Sequence, residues 1–293
     1  MELELAYRPT GKQLAFHAST ADEVLYGGAA GGGKSYAICW DALMRCLKYP
    51  QTHAYLFRRT YPELEMTLVR TMMRIAPKEL GKYVASAHEL RLSNGSVIHF
   101  CHLSNEGEGL LKYQGAEIHW LYFDELTHFT ESQFTYLISR IRGANPYPKQ
   151  VKSTTNPGGI GHQWVKSRYI DPMPPDEVHA FDGGTRLFLP ARLGDNPFLR
   201  KADAGYEKRL KLLSPTDRKA LLDGVWELDE GRYFSEFSPA LHIVPPHEIP
   251  REWRRYLTID YGLDMLAALW IAQSPDGCSV VYRELYEPGL IIS

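Results

Sequence analysis

The stretch Gly28-Ala29-Ala30-Gly31-Gly32-Gly33-Lys34-Ser35 has the spacing G-x-x-x-x-G-K-[ST] of a phosphate-binding loop. A loop so poor in side chains lets backbone N–H groups turn inward around phosphate oxygens. Lys34 can reach the terminal phosphates as a point charge, and the Ser35 hydroxyl can sit on Mg²⁺. A second signal lies downstream, where Ile118-His119-Trp120-Leu121-Tyr122-Phe123 is an apolar run ending in Asp124 and Glu125. There Asp124 would orient Mg²⁺ through its waters, and Glu125 would polarise an attacking water. A glycine-rich turn can match by chance, and strands ending in two acids are common. The two motifs together, in this order, point to ATP hydrolysis.

The flanking sequence supplies elements to hold these groups. Val24-Leu25-Tyr26 reads as a buried strand entering the loop, and Tyr36 to Met44 as a helix leaving it, its N-terminus aimed at the phosphates. Upstream, a short helix is expected from Thr10. Its Gln13 could pair with an adenine edge, or could be an ordinary helix glutamine. His53-Ala54-Tyr55-Leu56-Phe57 is a strand ending at Arg58-Arg59, which either see phosphate or pair with nearby acids. Asn94-Gly95 between Leu90–Leu92 and Val97–Phe100 signals a hairpin. Thr130 and Gln133 form a capping-box pair for a helix that carries Phe134, Leu137, Ile138 and Ile141 inward, with Arg140 and Arg142 near its end. Val151 to Asn156 reads as a strand ending in polar residues, placed to sense a γ-phosphate. Asn196-Pro197 opens a stretch holding Arg200, Lys201, Lys208, Arg209, Lys211, Arg218 and Lys219, read first as a solvated helix face. After Pro245, Pro246 and Pro250 come three strand candidates, the first ending in Asp260 and the last two joined by the turn Asp276-Gly277.

Composition narrows the class. The chain has 293 residues, 44% of them hydrophobic, ample for a sizeable core. Its formal charge is −2, so no global basic surface announces nucleic acid, and DNA contact has to come from a local patch. The four cysteines show no paired spacing, consistent with a reduced compartment. His99, Cys101 and His102 lack a second ligand pair at zinc-site spacing and read as strand and loop residues. No secretory signal or bilayer-spanning apolar run is visible.

Together GGAAGGGKS, LYFDE, STTNPGG, GVWELDEGRYFSEF and LTIDYG resemble the large subunit of tailed-phage terminases, the motors that package DNA into proheads. The resemblance spans nearly the whole chain, and the order of ATPase, linker and acid-tipped β-meander is its specific part. It implies an α/β P-loop NTPase of the ASCE type (additional strand, catalytic glutamate), with a mostly parallel sheet flanked by helices. The first strands of a ribonuclease H-like domain would follow. Expected boundaries are 1–225 for the ATPase, 226–252 for a linker and 253–293 for the start of the nuclease. Further implications are ATP and Mg²⁺ as cofactors, Thr154, Thr155 and Asn156 as a coupling motif, and Asp260 as the first nuclease metal ligand. Implied partners are double-stranded DNA, a small terminase subunit, the portal protein of the prohead and copies of the chain in a ring. The setting would be the cytoplasm of an infected bacterium, with no membrane.

Two departures matter. Some terminases carry an arginine inside the phosphate loop, where this chain has alanine and glycine, so an arginine finger is expected from Arg142, or else Arg140, acting in trans. The later nuclease carboxylates lie beyond Ser293 in the family pattern, so no DNA cleavage is expected of this chain. The competing readings are a helicase-like or other P-loop ATPase that remodels nucleic acid without packaging, and a nucleotide-binding assembly protein.

Overall fold

The computed structural model describes residues 7–103, 108–227, 242–261 and 265–288. The chain divides into two compact units, Met1–Gly231 and Arg232–Ser293.

The first unit is built on a nine-stranded sheet. In chain order its strands are β1 (Glu23–Gly28), β2 (His53–Arg58), β3 (Gly81–Val84), β4 (Glu89–Leu92), β5 (Val97–His102), β6 (Trp120–Asp124), β7 (Gln150–Thr155), β8 (Val178–Phe181) and β9 (Gly184–Ala191). The spatial order is β3-β4-β5-β2-β6-β7-β1-β9-β8. From β5 to β9 every neighbour is parallel, while β3, β4 and β8 add antiparallel edges. Strand β7 lies between β1, which carries the phosphate loop, and β6, which carries the acids. All three run the same way, so their C-terminal ends meet at one edge of the sheet, where α/β folds bind ligands.

Side-chain alternation explains the layers. Val24 and Tyr26 join one apolar cluster with Ala54, Leu56, Trp120 and Tyr122; Leu25 joins the other with Phe57, Leu121 and Phe123. Both faces of the parallel strands are therefore covered, as their near-continuous apolar sequence requires. Each fully buried large side chain contributes about 1.5–3 kcal/mol relative to exposure. Helix α1 (Gly11–Ala18) starts with a full capping box between Thr10 and Gln13. Helix α2 (Lys34–Lys48) follows the phosphate loop and ends with Arg45 and Lys48 in its last turn, favourable for its dipole. The Asn94-Gly95 turn joins β4 to β5 as an antiparallel pair, with Leu90, Leu92, Ile98 and Phe100 buried.

Helix α3 (Glu131–Ile138) has the expected Thr130–Gln133 capping box but ends earlier than the sequence suggested. Ile141 instead forms a parallel bridge with Ile118, just before β6. Arg140 and Arg142 consequently leave the helix. Their side chains donate to the Gln114 and Ala116 carbonyls in the segment that leads into β6, and the Arg142 N–H donates to the Ile118 carbonyl, on the side of the β6 N-terminus rather than of its acids. A second correction concerns Trp226, expected to open the linker. It is buried, 5% exposed, and stacks on His162 and meets Phe188 edge-on. It belongs to the core of the first unit. Most of the linker sequence, from 228 to 241, lies outside the described residues.

The second unit contains β10 (Arg254–Tyr261), β11 (Met265–Gln273) and β12 (Ser279–Pro288), an antiparallel meander in that order. The turn before β12 holds Gly277 at φ 92°, with its N–H on the Ser274 carbonyl, the geometry that favours glycine.

Candidate functional site

The phosphate loop leaves β1 through Gly28, whose φ is 138°. A Cβ there would stand 2.4 Å from the Ala191 carbonyl oxygen, so only glycine fits. The next two N–H groups are used inside the protein. Ala29 donates to the Ala191 carbonyl at 2.8 Å and Ala30 to the Leu221 carbonyl at 2.7 Å. Gly33, at φ 77°, caps α2 without a side chain, which leaves the helix N–H groups directed at the loop's interior, a site for anions. Gly31 and Gly32 complete the turn, and the Gly31 carbonyl accepts from Asn196 Nδ2 at 2.7 Å.

Lys34, Ser35, Asp124, Glu125, Thr154 and Asn156 converge at this point. Lys34 is buried. Its Nζ donates to the Ala29 carbonyl at 2.5 Å and to Asn156 Oδ1 at 2.7 Å. Burial pulls its pKa down to about 8, against the opposing pull of Glu125 and Asp124. Asp124 Oδ1 accepts from Ser35 Oγ at 2.8 Å and from Thr154 Oγ1 at 2.7 Å; its Oδ2 accepts from Arg58 Nη1 at 2.7 Å. Glu125 sits at φ 59°, a left-handed conformation uncommon for residues with a side chain. Such outliers concentrate at functional sites. Its carboxylate accepts from the Asn156 backbone N–H at 3.1 Å and from Asn156 Nδ2 at 3.1 Å. Burial first, and the Asp124 charge second, raise its pKa, the direction a general base needs to act near neutral pH.

Thr154 and Thr155 at the end of β7 and Asn156 just after it each hold a different group. Thr154 grips Asp124, Thr155 pairs with Thr127 Oγ1 at 2.8 Å, and Asn156 bridges Lys34 to Glu125. The amide orientation of Asn156 follows from chemistry, since an ammonium requires its oxygen and a carboxylate its nitrogen.

Gln13 is buried rather than a surface helix residue. Its Oε1 accepts from the Thr10 N–H, and its Nε2 donates to the Gly33 carbonyl at 3.0 Å. It lines a cavity of about 790 Å³ with Tyr7, Tyr36, Arg74, Asn196, Phe198 and others. Arg58 pairs with an acid, one of the two outcomes open for it, and that acid is Asp124. Sequence reasoning missed a buried ion pair behind the site. Lys152 Nζ lies 3.0 Å from Asp41 Oδ1, and Asp41 also accepts from Tyr122 and contacts His17 and Arg45. A lone acid in the apolar face of α2 and a lone lysine inside β7 were the available signals.

Asp260 stands exposed at the end of β10. In the register it is level with Ala267 and Tyr286, while Glu284 is opposite Leu269. Alternation therefore puts Asp260 and Glu284 on one face, two rows apart. Asp264 lies outside the described residues. Among the described residues no cluster of three His, Cys, Asp or Glu could hold a metal ion, and His99, Cys101 and His102 are residues of β5.

The model of the family described as terminase large subunit, T4likevirus-type, N-terminal, matches residues 25–238. The chain belongs to the terminase large-subunit family. The large terminase of a thermophilic bacteriophage superposes with a TM-score of 0.63 at 19% identity, over 96% of this chain and 69% of that one. That terminase has also been solved with ADP and with ATP-gamma-S. The large terminase ATPase domain of Thermus phage P74-26 gives 0.51 at 16% identity, covering 76% and 95% of the two chains. For the HK97 bacteriophage large terminase the values are 0.52 and 16%, with 96% and 63% covered. At these identities the structural likeness speaks for the fold. No curated protein matches the chain in sequence.

Proposed function

We propose that the chain is the ATP-hydrolysing motor subunit of a viral terminase and drives double-stranded DNA into a prohead. ATP hydrolysis and packaging are the work of the family to which it belongs. The observation that carries the assignment to particular residues is the single hydrogen-bonded set formed by Lys34, Ser35, Asp124, Glu125 and Asn156 at the ends of β1, β6 and β7.

The loop Gly28–Ser35 binds the phosphates, with Lys34 turning from the Ala29 carbonyl to the terminal oxygens. Mg²⁺ fits the donor set. A hydroxyl, a carboxylate and a second hydroxyl (Ser35, Asp124, Thr154) are hard oxygen groups, and a guanidinium already shows that Asp124 accepts a cation. Ser35 and Asp124 would hold the ion, which neutralises phosphate charge when bound. Glu125 takes the proton of the attacking water. Asn156 connects that base to Lys34, so a lysine that leaves for phosphate also alters the hold on Glu125. This is the chemical content of a coupling motif at Thr154, Thr155 and Asn156. The base of the nucleotide would lie in the cavity beside Gln13, between Tyr7, Tyr36 and Phe198.

The position of Arg140 and Arg142, far from their own phosphate loop, suits a role in trans within a ring of copies. Mixing tests this. Arg142→Ala subunits keep their own loop, and Glu125→Gln subunits keep their arginines. Partial recovery of turnover in the mixture supports the ring, whereas activity linear in protein concentration down to monomer contradicts it. Duplex DNA, a small terminase subunit and the portal protein of the prohead are the proposed partners, in the cytoplasm of an infected bacterium. Among the described residues no helix is long and apolar enough to cross a membrane. Asp260 is proposed as one ligand of a ribonuclease H-like metal site. The packaging reading itself is tested by ATP turnover. Stimulation by duplex DNA with proheads supports it, and stimulation by single strands alone favours a helicase-like enzyme.

A further inference from the structure

Arg58 closes β2 at the edge where the phosphate loop and the two acids meet, and it lines a cavity together with Glu125 and Asn156. Its Nη1 donates to Asp124 and, at 3.0 Å, to Thr67 Oγ1. Its Nε is buried and has no hydrogen-bond partner. Glu63 Oε2 is in the same condition and stands 4.0 Å from that Nε. The two groups thus form a loose ion pair that lacks a hydrogen bond, and the Glu63 side chain is 43% exposed. Unpaired buried polar atoms are costly and rare, so a pose of Arg58 turned to Glu63 has its own compensation. Glu63 and Thr67 sit on the helical segment that follows β2, and Thr67 Oγ1 donates back to the Glu63 carbonyl at 2.6 Å. That segment contains a π-turn at Glu65–Val69, an irregularity common at functional sites.

The same Asp124 carboxylate accepts from Ser35, the phosphate-loop hydroxyl with metal-binding chemistry. The Asp124 and Arg58 side chains are 2% and 13% exposed, so water screens this corner poorly. A divalent ion and a guanidinium on one buried carboxylate repel each other. We propose that Arg58 is a positioning residue that competes with Mg²⁺ for Asp124. Entry of metal with nucleotide turns its guanidinium toward Glu63, and the segment Tyr61–Ile75 thereby registers metal binding. This inference rests on the reading of Ser35 and Asp124 as the magnesium site.

The test uses the whole chain, ADP, and Mn²⁺ as a spectroscopic stand-in whose free fraction is read by electron paramagnetic resonance. Arg58→Met removes the competing charge and is expected to tighten Mn²⁺ binding at saturating ADP by about tenfold or more, as a charge a few ångströms away requires. Arg58→Lys keeps most of the competition. Glu63→Gln, on a partly exposed helix, removes the charge that receives Arg58 and weakens Mn²⁺ binding several-fold. Metal-free ADP affinity stays unchanged in Glu63→Gln. A folded Arg58→Met protein with unchanged or weaker Mn²⁺ affinity overturns the exchange. Should that variant not fold, Glu63→Gln decides, and unchanged metal affinity there overturns it equally. Failure of the unaltered chain to bind Mn²⁺ with ADP overturns the nucleotide-site reading itself.

Discussion

Asp124 and Asp260 occupy the same kind of place, the C-terminal end of a strand, yet their surroundings differ. Asp124 is 1% exposed and held by Ser35, Thr154 and Arg58, which come from three other elements. Asp260 is exposed on a three-stranded sheet, with Glu284 two rows away on the same face. A strand-end carboxylate becomes chemical only when neighbouring strands deliver partners to it. In the first unit β7 between β1 and β6 does so; in the second, the described strands bring no third acid near.

The largest effect that sharpens this contrast is expected at Glu125. Glu125→Gln keeps shape and removes the base, so turnover falls about 10²–10⁴-fold while nucleotide still binds. Turnover at the parent rate would assign the base elsewhere.

The phosphate loop, both acids, the hairpin at Asn94-Gly95 and the Thr130 capping box were legible in the sequence because each depends on local residue types. Long-range partners were not. Nothing near Arg58 in the chain names Asp124, and nothing near Lys152 names Asp41. The role of Asn156 as a bridge depends on β7 lying between β1 and β6, which is a fact of topology. Trp226 read as linker because the glycine and acid-rich sequence around it hides the packing it makes with His162 and Phe188. Arg140 and Arg142 looked helical until the Ile141–Ile118 bridge removed their turn from α3.

Next in size is the buried pair behind the site. Lys152→Met leaves Asp41 without its main counter-charge and is expected to cost about 3–5 kcal/mol of stability, read by urea unfolding. A loss within experimental error would mean that His17 and Arg45 suffice. Burial opposes ionisation of Asp41, but Lys152, His17 and Arg45 outweigh it and hold its pKa down to about 2. A depressed carboxylate stabilises above its unfolded pKa of about 3.9 and loses that contribution as pH falls toward the folded value. The stability gap between the parent chain and Asp41→Asn should therefore shrink as pH falls from about 4 to 2. A gap that stays constant would place the stabilisation in shape rather than charge.

The smallest effect belongs to the second unit. Asp260→Ala should change stability by less than about 0.5 kcal/mol, as exposed positions do. Supercoiled plasmid with Mn²⁺ should give no more nicked or linear product with the parent chain than with the Asp260→Ala chain. Robust cleavage abolished by Asp260→Ala would show that this chain does complete a second metal site.

Titration of ADP with Mg²⁺ into the parent chain and into Lys34→Ala, by calorimetry, addresses the central claim most directly. Lys34 is the loop's own cation and the link through Asn156 to Glu125, so its removal is expected to abolish most of the affinity. Equal affinity in the two proteins would contradict the assignment of Gly28–Ser35 as the nucleotide site.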